Sequence, residues 1–303
     1  MDYKELVVKS FALAWRHKWL WVFGLFAGGG GVGGGFNFNF GPGSFDRSEP
    51  GTDPRFRAFL YQVGRWALDN LALIIALAVA AALLILFFFI LNIIAQGSLI
   101  GAAERLDKDE ETTFGQALGV GLHNFWSLLG FFLLLALVIL VPLGFVAAFA
   151  AALALVSPLT LILFVPLILV LIPVFLAAGI IGLLGARGIV IDGLGASAAL
   201  ADAWRLFWRR LGPVILTWLI SMGLGIAFGF ILVIAMLMTL GPIVVAAYLA
   251  FRTGFSLVKL GIFIFIGVAF LAAVWIVAAA FNTYMSVYWT VAYRRIKALD
   301  QPA

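Results

Sequence analysis

Apolar residues dominate this chain in long runs, and the polar residues collect at the ends of those runs. Residues 71–100, 127–186 and 214–251 contain no Asp, Glu, Lys or Arg. A helix that crosses a bilayer needs about 20 apolar residues, so the middle run predicts two spans folded at Ser157-Pro158. In chain order the pattern predicts a short first span over 20–32, thinned by the glycines at 28–31 and 33–35. Each such glycine weakens a helix by about 1 kcal/mol. A second span follows over 70–96, continuing as helix to Arg105, then a third and fourth over 126–156 and 160–186, closed by Arg187. The fifth covers 213–240 and the sixth 260–290, ending at Arg294, Arg295 and Lys297. Residues 242–250 are apolar but too short to cross, which predicts a re-entrant or surface-lying piece.

Three shorter stretches carry helical rather than continuous apolar periodicity. Over 3–19, Val8, Phe11, Trp15, Trp19 and Val22 recur at the spacing of one helix face. Thr113 with Gln116 three residues on is a capping box, opening a second helix with Phe114, Ala117, Leu118, Gly121, Leu122 and Phe125 on its apolar side. In a third, Leu200, Ala203, Trp204, Phe207, Trp208 and Leu211 oppose Asp202, Arg205 and Arg209. All three share one pattern: a small residue, a spacer, a small residue, a large apolar residue, a cation or His, two spacers and Trp. The copies run from Ala12 to Trp19, Gly119 to Trp126 and Ala201 to Trp208. Such self-similarity predicts a repeated unit, here an interfacial helix feeding a helix pair, with units of about 1–106, 107–190 and 191–303. The expected fold is an all-α integral membrane protein of six transmembrane helices and three amphipathic helices, a single domain over 1–303 with an extracytoplasmic loop at about 36–69.

Charge orients this arrangement. With six spans, Arg47, Arg55, Arg57, Arg65, Arg252 and Lys259 fall on one side and the remaining 13 of the 19 Lys and Arg on the other. The cation-rich side is predicted to be cytoplasmic, which puts both termini and all three amphipathic helices there. Composition agrees with the class: 65% of residues are hydrophobic, 11% are charged and mean hydropathy is +1.17, against about 25% charged in soluble domains. The formal charge of +5 is explained by juxtamembrane cations rather than by nucleic acid binding. The polar stretch at 36–70 is too short to build a soluble catalytic core. Arg16-His17-Lys18 before an apolar run resembles a signal peptide, but these residues form the first copy of the repeat and are expected to be retained.

Little in the chain points to bond-making chemistry. There is no cysteine, so thiolate catalysis and Cys-ligated metals are excluded. The glycine run at 28–35 lacks the Lys-Ser/Thr ending of a phosphate loop. Phe36-Asn37-Phe38-Asn39-Phe40 suits an interfacial aromatic belt. Asp107, Asp109, Glu110 and Glu111 do not match calcium-loop spacing and predict a solvated turn. His17 and His123 have no second ligand at metal spacing. No catalytic, cofactor or metal site is expected.

Two sets of residues remain. Asn92 and Gln96 on the second span, with Asn282, Thr283, Ser286 and Thr290 on the sixth, form a polar cluster at membrane depth. Asn92/Gln96 and Asn282/Ser286 stand four residues apart, so each pair shares a helix face. Such amides either bond helices together or line a substrate path. Arg16, Lys18, Trp19, His123, Trp126, Arg205, Trp208, Arg209 and Arg210 are candidate contacts to anionic lipid headgroups. Small residues four apart, Gly225/Gly229 and Gly144/Ala148/Ala152, predict close helix packing or a homodimer face.

The segment 12–26, the run from Ala102-Ala103-Glu104-Arg105 to Trp126, and Ala186-Arg187-Gly188-Ile189-Val190 through Leu211 resemble the membrane domain named after glycerophosphoryl diester phosphodiesterases and its six-helix prokaryotic relatives. In phosphodiesterase members a separate catalytic barrel follows that domain, and no such sequence follows here, so the resemblance implies the membrane fold and no enzymatic activity. The expected function is that of a non-enzymatic structural or accessory subunit of the cytoplasmic membrane, contacting lipids and possible partner subunits. The alternative is lipid or small-solute handling through the polar cluster.

Overall fold

A computed structural model describes residues 2–28, 61–62, 65–66, 68–156, 164–252 and 256–300. The described elements are α-helices: α1 Tyr3–Arg16, α2 Leu20–Ala27, α3 Leu71–Asp107, α4 Phe114–His123, α5 Phe125–Val156, α6 Phe164–Asp192, α7 Ala196–Arg209, α8 Leu211–Arg252 and α9 Leu257–Asp300. Five of them, α3, α5, α6, α8 and α9, are long and apolar enough to cross a membrane. The chain divides into two units, Met1–Gly35 with Asn92–Ala303, and Phe36–Leu91. In the second, residues 71–91 of α3 are an apolar rod whose Leu77, Leu83, Ile85 and Phe87 are exposed.

In the first unit, local chemistry sets the helix ends. The Asp2 carboxylate accepts from the backbone N–H of Lys4 and Glu5 at 2.9 and 3.1 Å and starts α1. Thr113 and Gln116 close the capping box that their spacing predicts, in both directions. Between α6 and α7 the chain turns at Gly193, whose φ of +67° favours a residue without Cβ.

The core of this unit lies around the C-terminal half of α9, which packs against α1, α2, α6, α7 and α8. Glycines permit the closest approaches. A Cβ on Gly24 would overlap Thr283 and the Ala279 carbonyl, and one on Gly28 would overlap the Asn282 amide. The tight seam is therefore Gly24-xxx-Gly28 of α2 against α9. Gly97 and Gly101 admit α4 onto α3, and Gly185 admits the Phe131 ring of α5. At Gly144 and Gly229, two of the small positions expected to pack, an added Cβ would meet open space.

Three expectations change. The first helix ends at Arg16, and the first apolar segment begins separately as α2, eight residues, after His17 and Lys18; its continuation past Gly28 lies outside the described residues, as do the aromatic belt at 36–40 and the turn at Ser157-Pro158. Residues 242–250 are not a separate surface piece: α8 runs unbroken through Pro242. A proline can sit inside a membrane helix because neighbouring groups and local adjustments re-satisfy the backbone group it frees. Third, α6 does not stop at Arg187 but continues to Asp192, since Gly188-Ile189-Val190-Ile191 resumes the apolar run. The apolar face read on α1, with Val8, Phe11 and Trp15, is exposed, and the helix packs on the protein through Leu6, Ser10 and Ala14. On α7 the apolar side splits likewise, with Ala199, Ala203, Leu206 and Phe207 buried and Trp204 and Trp208 exposed.

Candidate functional site

The polar residues of α3 and α9 converge on α2. Being one short helix, α2 ends with backbone carbonyls that have no intrahelical donor. Asn92 Nδ2 donates to the Phe26 carbonyl at 2.6 Å, and Asn282 Nδ2 donates to the Gly24 carbonyl at 3.3 Å. The Thr283 hydroxyl lies 3.2 Å from the Leu20 carbonyl and 2.9 Å from its own helix's Ala279 carbonyl. Gln96 Nε2 donates to Asn92 Oδ1 at 2.7 Å and so orients that amide. Thr290 donates to the Ser286 carbonyl at 2.8 Å. The six residues thus do not form one cluster between α3 and α9. Asn92, Asn282 and Thr283 grip α2 from two sides, with Gln96 behind Asn92, while Ser286 and Thr290 sit further along α9.

The Ser286 carbonyl also receives Arg187, a residue the sequence pattern had placed at a helix end. Arg187 is 3% exposed. Its Nη1 donates to the Leu183 carbonyl at 2.7 Å and its Nη2 to the Ser286 carbonyl at 3.3 Å, while Nε has no partner. No carboxylate pairs with it among the described residues. A buried cation held by carbonyls ties α6 to α9, and the resumption of apolar sequence after it was the available signal.

An ionic layer closes the same end of the unit. Asp107, expected in a solvated turn, is mostly buried and accepts from both Lys9 at 2.6 Å and Arg294. Arg295 pairs with Glu5 at 2.7 Å. Asp192 accepts from the Tyr293 hydroxyl at 2.5 Å and Lys297 at 2.6 Å. The N-terminal helix and the C-terminal end of α9 therefore meet at one face. Among the described residues no group of three or more His, Asp or Glu stands together to hold a metal ion.

The sequence of the whole matches one known family over residues 11–293, described as a family of unknown function (DUF7544). The chain belongs to that family. No curated protein and no solved structure matches it. The matched stretch contains the whole grip on α2 and Arg187, whereas Glu5, Lys9, Arg294, Arg295 and Lys297 of the ionic layer lie outside it.

The nine candidate headgroup contacts separate by environment. The five positions that open each copy of the repeated pattern share one sequence of environments: exposed, half-buried, buried, exposed, exposed, at 12–16, 119–123 and 201–205. Arg16, His123 and Arg205 occupy the last of these, each beside an exposed Trp15, Leu122 or Trp204. Lys18 lies over the Trp15 ring at 5.9 Å. Trp126 and Trp208 are 77% and 54% exposed. Trp19 instead packs on Phe23 and Phe114. Arg209 and Arg210 pair with Asp300 at 3.5 and 3.4 Å, which offsets part of their charge.

Proposed function

We propose that this multi-pass membrane protein is a non-enzymatic structural or accessory subunit of the cytoplasmic membrane. The observation that supports this is the commitment of Asn92, Gln96, Asn282, Thr283 and Thr290 to hydrogen bonds within the bundle. The bonds of Asn92, Asn282 and Thr283 join helices, and all five side chains donate within the protein rather than toward a solute path.

The fuller topology is part of this reading. The contacts Glu5–Arg295 and Lys9–Asp107–Arg294 bring α1 to the C-terminal end of α9, which supports an even number of crossings. Five crossing helices then ask for a sixth passage, for which the sequence offers the first apolar segment. Cation counting makes the shared face cytoplasmic. The matched environments of the three short helices support a three-fold repeat whose exposed aromatic and cationic positions rest on anionic lipid, and on this reading the chain shares its fold with the phosphodiesterase-type membrane domain it resembles.

The test is purification of the full chain in mild detergent, with Asn92→Leu and Asn282→Leu variants. The expected result is co-purifying membrane protein, retained by both variants, with a small fall in thermal midpoint. Loss of a co-purified lipid or solute at an unchanged midpoint would contradict the reading. Compartment-sensitive reporters after Ala303 and near Glu49 should report opposite sides; signals from the same side would remove the sixth crossing.

A further inference from the structure

A polar cleft of about 540 Å³ opens where α4 crosses the C-terminal turns of α3, walled by Glu104, Arg105, Gln116, Gly119, His123 and Asn124. The volume is that of a small-ligand site. Its frame is firm, because Gly97 and Gly101 let α4 seat directly on α3, with Gly121 and Val120 as the opposing contacts.

The chemistry of the walls is unbalanced toward donors. Glu104 is neutralised by Lys108 at 2.6 Å. The Gln116 carbonyl oxygen is taken by the Thr113 N–H of the capping box, which leaves its NH2 group to donate. Asn124 Nδ2 is already bonded to the Val120 carbonyl at 3.0 Å. Among the described residues, the guanidinium of Arg105 and the ring of His123 make no ion pair or hydrogen bond. A guanidinium, an amide NH2 and an imidazole around one open space suit a group with several acceptor oxygens and a negative charge.

Beside the cleft, Leu122 and Trp126 are exposed, Trp126 one turn beyond His123. Aromatic side chains of this kind sit at headgroup level, so a phosphate that remains attached to acyl chains can reach the cleft. We propose that this cleft is a binding site for the phosphate of an anionic phospholipid headgroup, with Arg105 as its charge partner and Gln116 and His123 as further donors. This goes beyond the structural role proposed above and does not depend on it.

The test is native mass spectrometry of the full chain in detergent with added phosphatidylglycerol or phosphatidylcholine, for wild type, Arg105→Gln and Gly119→Leu. Gly119 faces the cleft, and an added Cβ there meets no atom within 4 Å, so a leucine fills the site without disturbing the fold. Wild type should retain phosphatidylglycerol in preference to phosphatidylcholine, and millimolar inorganic phosphate should compete with it. Arg105→Gln should weaken retention roughly tenfold, the scale of a lost charged hydrogen bond. Gly119→Leu should abolish retention at an unchanged thermal midpoint. Equal retention by all three proteins, or equal retention of both lipids, would overturn the proposal. An Arg105-dependent rise in midpoint with inorganic phosphate alone, without lipid retention, would overturn a lipid as the source of the phosphate.

Discussion

The two halves of α9 meet different surroundings. Val258, Phe265, Val268, Leu271 and Trp275 are exposed, whereas Val287, Tyr288, Thr290, Val291, Ala292, Tyr293 and Ile296 are buried. Apolar burial alone does not account for the packed half, since lipid tails are as apolar as a protein core and provide no drive for helices to associate. Partner geometry does. Ala279, Asn282 and Thr283 meet Gly24, the capping Gly28 and backbone carbonyls of α2, and the Tyr288 hydroxyl reaches the Thr217 carbonyl of α8 at 3.1 Å. The far half carries glycines too, but Gly261 and Gly267 face open space. Small residues hold this bundle together only where a second helix meets them.

The sharpest way to break this comparison is to place the same substitution once in the α2 seam and once in the far half of α9. Gly24→Leu forces a side chain into Thr283 and the Ala279 backbone, and should cost about 3 kcal/mol or more, the upper range for overpacking, or prevent folding. Gly267→Leu should shift the midpoint by no more than about 0.5 kcal/mol, as for a surface change. Thermal unfolding in detergent reads both, and equal losses would show that the two halves do not differ.

A smaller effect is expected in the ionic layer that locks the packed half. Asp107→Asn leaves Lys9 and Arg294 facing each other without their shared carboxylate. The pairs are partly exposed, so the loss should be about 1–2 kcal/mol, between the values for surface and buried pairs. It should shrink as salt screens the repulsion between the two cations. A loss independent of salt would point to packing instead of charge.

The least effect comes from the grip on α2. Asn92→Leu removes one side-chain bond to the Phe26 carbonyl, and membrane bundles lose about 0.6 kcal/mol per such bond. The double variant with Asn282→Leu should lose about twice that, because the two amides bind different carbonyls. A loss several times larger would mean that α2 is held by these amides more than by its glycine seam.

How far the sequence anticipates this picture follows from which groups carry a side-chain signature. The five long apolar runs, the Thr113–Gln116 capping box and the pairing of Gln96 with Asn92 all rest on spacing along one helix, and spacing is visible in the letters. The partners of Asn92, Asn282 and Thr283 are backbone carbonyls of α2, and a carbonyl has no letter. The Gly24-xxx-Gly28 spacing stood in plain sight, but at the similar stripes Gly144 and Gly229 an added Cβ meets no neighbour within this chain, and only the neighbouring helix tells them apart. On α1 and α7 the periodicity marks an apolar face but not which residues touch protein. In water the largest apolar side chains turn inward, whereas at a membrane surface Phe11, Trp15, Trp204 and Trp208 can stay outside and Ser10, Ala14 and Ala203 make the contact. Arg187 was read as a terminus because a lone cation usually ends a span; its carbonyl partners on α6 and α9 appear only once the helices are packed.

The chain has no cysteine of its own, so single cysteines can report on each half of α9 in a bilayer. Spin labels at Val268 and Ala298 should separate the lipid-facing half from the end that leaves the membrane. The account predicts that the label at 268 collides freely with oxygen and scarcely with a water-soluble nickel chelate, and that the label at 298 does the reverse. A label at 268 shielded from both would mean that protein covers this half of the helix, and one open to the chelate would mean that water does; either result would contradict the account.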